Sequence, residues 1–177
     1  MNSLFSQRDP AYSSIKLGPT TISKDGCVVM SLATLFQVDP TFILSVQGAF
    51  NKKGECDIKK VVEFLGGKVD FRGTIPPIGW CMAKTDYYSK VGFPTHFFIY
   101  NAQTKQAIDP LQNPTFRQEN IYPITEYLWI SGIRLDFTKE DLQKRLDTAV
   151  LALPKVSGQR LKMLSRFIER VRKMLQF

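Results

Sequence analysis

Histidine is nearly missing from this chain: the 177 residues contain one, His96. Cysteine is scarce as well. Cys27, Cys56 and Cys81 are odd in number and form no CxxC pair. These shortages exclude the common structural zinc patterns, which need four closely spaced Cys and His ligands, and they argue against a disulfide framework. No metal and no other cofactor is expected. No run of 18 apolar residues occurs, so no single helix is expected to span a membrane. The start, Met1 to Asp9, lacks a basic-then-apolar signal pattern, so synthesis in a reducing cytoplasm is expected. Internal repeats and low-complexity segments are absent too.

What is present suits a packed body: 44% hydrophobic, 12% aromatic and 23% charged residues, a composition that excludes wholesale disorder. The net charge of +8 is unevenly spread. Residues 139–177 hold 10 Lys or Arg against 4 Asp or Glu, whereas residues 1–138 hold 14 against 12. A nucleic-acid surface would need basic residues through the main body, so nucleic acid is not expected as a partner.

The order of signals along the chain predicts an α+β domain. Ser6 to Thr21 is polar, with Pro10, Gly18 and Pro19, and reads as an extended arm or loop. Cys27 to Phe36 is apolar almost all round and long enough to favour a buried helix over a strand. Asp39-Pro40 supplies an N-cap and a first-turn proline for a second helix through about Phe50. A third helix is predicted from Asp57 to Leu65, stopped by Gly66-Gly67. Then come aromatic and β-branched runs: Val69–Phe71, Trp80–Ala83, His96–Tyr100, Gln106–Ile108 and Tyr127–Ile133. They read as an antiparallel sheet with the early helices packed on one face. The body is expected to span 1–138, and 139–177 to form a basic helical C-terminal extension. Ser157 can cap its last helix, where Leu161, Leu164, Ile168, Val171 and Leu175 share one stripe and six Lys or Arg lie opposite. Residues 157–176 can pack at home, pair with a second copy or meet an anionic surface.

Cysteine-based catalysis needs an ionisable thiol, a base, an orienter for that base and donors for an oxyanion. Cys27 opens the apolar helix behind the cap candidates Ser23 and Asp25. There a thiolate would face the positive end of the helix dipole. A small buried cysteine is the plainer reading of the same residue. His96, the single histidine, must be the base of any Cys–His pair; a satisfied core or surface histidine is the plain alternative. If the hairpin from His96 folds symmetrically about Ala102-Gln103, Asp109 lies directly across from His96 and can fix its tautomer. Turn chemistry at Asp109-Pro110 would explain the aspartate equally well. Cys56 and Cys81 read as structural.

Taken in order, Ser6-Gln7-Arg8-Asp9-Pro10-Ala11-Tyr12, Leu17-Gly18, Thr21-Ile22, Gly26-Cys27, His96 and Ile108-Asp109-Pro110 resemble the bacteriocin-processing-like cysteine peptidases. These are standalone relatives of double-glycine leader peptidases in the papain-like superfamily. The resemblance covers roughly residues 5–135. It implies a papain-like fold with Cys27 as nucleophile, His96 as base and Asp109 as third member of the triad. It also makes Gln7 the oxyanion donor; residues alone would leave Gln7 a surface glutamine. Tyr12 stands where the family often has Trp, and the basic tail lies outside the pattern. Two substrate classes follow, peptidoglycan peptides as in phage or bacterial lysins, or a protein substrate, with virion association or release to the cell envelope as the matching locations. A catalytically inactive papain-like binding or structural module is the competing class.

Overall fold

In the computed structural model the chain divides into two units, Met1–Leu135 and Asp136–Phe177. The structure describes residues 3–87, 95–112 and 115–135, with 150 and 165. Apart from Val150 and Ser165, the predicted extension at 139–177 and its helix at 157–176 therefore lie outside the described residues.

The first unit is α+β. It opens on a two-stranded antiparallel hairpin, β1 (Lys16–Leu17) and β2 (Thr20–Thr21). Four helices follow: α1 (Ile22–Asp25), α2 (Cys27–Phe36), α3 (Pro40–Leu44) and α4 (Ile58–Phe64). Six strands then make one antiparallel sheet: β3 (Lys68–Gly73), β4 (Trp80–Thr85), β5 (His96–Asn101), β6 (Gln106–Ile108), β7 (Arg117–Glu119) and β8 (Glu126–Ser131). Their spatial order is β3-β8-β4-β5-β6-β7. Among the described residues no helix is long and apolar enough to cross a membrane.

The apolar run beginning at Cys27 does form a buried helix, with Leu32, Leu35 and Phe36 at 1% exposure or less. Each such side chain stabilises the fold by roughly 1.5–3 kcal/mol through burial. Helix α2 packs against β5, and the Ser31 hydroxyl donates a long 3.5 Å hydrogen bond to the Phe97 carbonyl. Asp39 and Asp57 cap α3 and α4 by accepting from the Thr41 and Lys60 amides. Gly66, at φ +80, ends the turn after α4.

Several expectations need correction. The helix from Pro40 stops at Leu44 rather than near Phe50, because the chain turns through Gly48 (φ +67) and bridges Phe50 to Cys56. The opening arm contains the β1–β2 hairpin. Ser23 and Asp25 do not cap α2: they belong to α1, and Gly26 is the N-cap, without a side-chain cap bond. The last strand begins at Glu126 and ends at Ser131, where Gly132 takes φ +80. Strand β7 was not foreseen, since its three residues, Arg117-Gln118-Glu119, carry no apolar alternation.

Candidate active site

Helix α2 brings Cys27 to the site. Its first residue is the cysteine, and a helix leaves its first N–H groups without intrahelical partners. Gly26 is required in front of it. A Cβ there would lie 2.5 Å from the Ile22 carbonyl oxygen and 2.7 Å from its Cγ2, while the Gly26 amide donates to that same oxygen at 2.9 Å. Cys27 is 9% exposed and lines a cleft of about 500 Å³ together with His96.

His96 is the first residue of β5, and the sheet register decides what it meets. Ile99 pairs with Ile108, Tyr100 with Ala107 and Asn101 with Gln106. The expected pairing of His96 with Asp109 is therefore off by two positions; continued, this register sets Asp109 beside Phe98. The loop is longer than a two-residue turn, running Ala102 to Lys105. The Asn101 side chain accepts from the Gln103 and Thr104 amides, and Lys105 turns the chain at φ +56. His96 and Phe98 point to the same face of the pleat, so the carboxylate reaches His96 diagonally. The contact survives the shift: His96 Nε2 lies 2.7 Å from Asp109 Oδ1.

The Cys27 side chain lies near enough to the imidazole to act on its protonation as well. With Nε2 turned to the carboxylate, Nδ1 is the nitrogen left for sulfur. His96 thus joins a thiol on the helix to a carboxylate at the end of β6. Burial alone would disfavour the imidazolium, but the Asp109 hydrogen bond and the neighbouring Asp109 and Cys27 side chains outweigh it and raise His96 from 6.5 to about 9. Asp109 has no exposure at all. Burial would push its carboxyl up. The hydrogen bond and charge of His96, the Tyr122 hydroxyl at 2.5 Å and the Leu111 amide at 2.9 Å hold it below the usual range instead.

Gln7, at 1% exposure, is no surface residue. Its backbone amide donates to the Pro110 carbonyl at 2.7 Å, next to Asp109. Its side-chain nitrogen donates to the Ile22 carbonyl at 2.9 Å, the oxygen that also accepts the Gly26 amide. The Gln7 amide therefore shares an acceptor with the Gly26 N–H, one residue before Cys27, and a second N–H remains on that nitrogen. Its Oε1 is buried with no hydrogen-bond partner among the described residues.

The cleft has apolar walls from Val28, Phe50, Ile58 and Phe97. Lys24, Asp25, Lys53, Glu55 and Arg72 line it as well, so both signs of charge are offered to whatever enters. Cys56 also lines it, and burial together with the charges of Asp57 and Cys27 pushes its thiol up to about 12. Cys81 is fully buried on β4, and burial raises its thiol further still. Among the described residues no group of three or more His, Cys, Asp or Glu is arranged to hold a metal ion.

Tyr122 was missed by the sequence reading. Nothing in Ile121-Tyr122-Pro123 signals a contact with Asp109, because that contact depends on how the chain returns after β7. No family model, curated protein or solved structure matches this chain.

Proposed function

We propose that this chain is a papain-like cysteine peptidase or amidase of the bacteriocin-processing-like kind, hydrolysing amide bonds through a thioester. The observation that carries this reading is the buried His96 ring, bonded to Asp109 and sharing the wall of one cleft with Cys27. A thiol, a base and an orienter in that order are the minimum set for covalent acyl transfer.

In this mechanism the Cys27 thiol passes its proton to His96 and its sulfur attacks the amide carbonyl carbon, forming a C–S bond and moving the carbonyl π electrons onto oxygen. The Cys27 N–H and the second N–H of the Gln7 amide receive that oxyanion. The C–N bond breaks as His96 gives its proton to the departing amine. Water then attacks the thioester, His96 takes a proton from it, and the acid leaves as sulfur is released. Asp109 holds the ring and stabilises its positive form throughout.

Peptidoglycan peptides are the favoured substrate class, with a protein substrate as the rival. Partly buried apolar walls beside charges of both signs suit a short peptide carrying apolar and ionised side chains. Zymography on purified cell walls, run beside a peptide library, separates the two. Clearing by the wild type and not by Cys27→Ala supports the cell-wall assignment. Cleavage confined to the library removes it, and inertness in both assays favours an inactive binding module. Liposome binding and sedimentation, with and without residues 156–177, test an anionic surface or self-association.

A further inference from the structure

Asp109 is held from more directions than orienting a histidine requires. Its Oδ1 receives His96 Nε2 and the Leu111 amide, while Oδ2 receives the Tyr122 hydroxyl at 2.5 Å. Tyr122 is itself clamped. The Asn120 side chain accepts from the Tyr122 amide at 3.1 Å and donates to its carbonyl at 3.0 Å. The ring stands edge-on to Phe98 with centroids 5.1 Å apart, and Phe98 in turn stacks parallel to His96 at 6.4 Å. Two routes therefore run from Tyr122 to His96: hydrogen bonds through the carboxylate, and ring contacts through Phe98. A phenol needed only to fill the core beside Ala83, Phe98 and Ala107 would have no use for a hydroxyl aimed at a buried carboxylate.

We infer that Tyr122 is a positioning residue of this centre: its hydroxyl fixes the Asp109 carboxylate, and the carboxylate in turn fixes the His96 ring. The inference rests on the Cys–His–Asp reading above. Without the hydroxyl, the ionised carboxylate loses a donor, takes up a proton more readily and supports a charged imidazole less well. The other titratable groups that line the cleft with the ring stay in place: Cys27 on α2, Cys56, Lys24, Asp25, Lys53, Glu55 and Arg72.

Because the chain has one histidine, its imidazole Cε1–H signal in NMR belongs to His96 without assignment work. The full chain and Tyr122→Phe are titrated side by side, with thermal unfolding as a check on folding. The expected result is a His96 midpoint lower by about one pH unit in the variant, a tenfold weaker hold on the proton. An unchanged midpoint in a folded variant overturns the inference, even if the melting temperature drops, because packing alone would explain that drop. Should Tyr122→Phe not fold, the wild type labelled with ¹³C at tyrosine Cζ decides. The Tyr122 carbon must shift through the His96 titration, and a flat response overturns the proposal. A Cys27 unreactive toward iodoacetamide would sink the peptidase reading instead, without touching the histidine comparison.

Discussion

Alkylation of the three thiols by iodoacetamide separates a reactive centre from an inert one, and the structure sets the size of the effect. Only the thiolate reacts. A thiol titrating at about 12, as burial dictates for Cys56, is ionised to about one part in 10⁵ at pH 7. Cys81 is more suppressed, being completely buried and bonded through its sulfur to the Tyr100 carbonyl. Cys27 instead faces a histidine that burial, Asp109 and Cys27 together leave at about 9, so the ring holds a positive charge at neutral pH. Time-resolved peptide mass spectrometry should show Cys27 carboxamidomethylated at least about 10³-fold faster than Cys56 at pH 7. A hydrogen bond to a charged group is worth about 1.5–3 kcal/mol, so His96→Ala should slow Cys27 by about 10- to 100-fold. Raising the pH from 7 to 8 should speed Cys56 about tenfold. Comparable rates for all three thiols, or a Cys27 rate indifferent to His96→Ala, would refute the electrostatic reasoning.

Replacing Gln7 by Ala should cut amide hydrolysis by about 10²–10³ while leaving Cys27 alkylation close to wild type, since alkylation forms no oxyanion; parallel loss of both would mean Gln7 only supports the fold. His96 binds its proton more tightly in the folded chain, at about 9, than at its ordinary 6.5. That contribution to stability is complete below about pH 6.5 and disappears as pH rises through 9. The urea midpoint should fall across this window in the wild type and fall less in Asp109→Asn, as equilibrium unfolding at stepped pH would record. Gly67→Ala would place a Cβ 2.5 Å from the Ser131 carbonyl oxygen and 2.7 Å from Phe36 Cζ; a loss of about 1–3 kcal/mol is expected in denaturant titrations.

Local signals carried the sequence reading a long way, and long-range ones did not. Apolar continuity located α2, Asp57 located the start of α4, and aromatic runs located β4, β5 and β6 to within two residues. The helix after Pro40 was drawn too long because Ser45-Val46-Gln47 has no helix breaker, while the turn that ends it relies on Gly48 and a bridge to Cys56. The hairpin register slipped by two because Lys105 adopts a left-handed backbone that non-glycine residues seldom use. A slip of two keeps every side chain on its own face, whereas a slip of one would have turned Asp109 away from His96. Gln7 came from resemblance alone, and Tyr122 from nothing in the sequence. Both bond to partners more than ten positions away, beyond the reach of periodicity or capping rules.

The bond from the Gln7 amide to the Pro110 carbonyl ties the arm to a segment made much later on the ribosome. While the chain grows, its sulfur emerges early, with neither imidazole nor carboxylate yet synthesised. Tyr122 comes out last of all. A half-made polypeptide of this kind therefore cannot bring the three side chains together, and the grouping closes only when nearly the whole body has been translated.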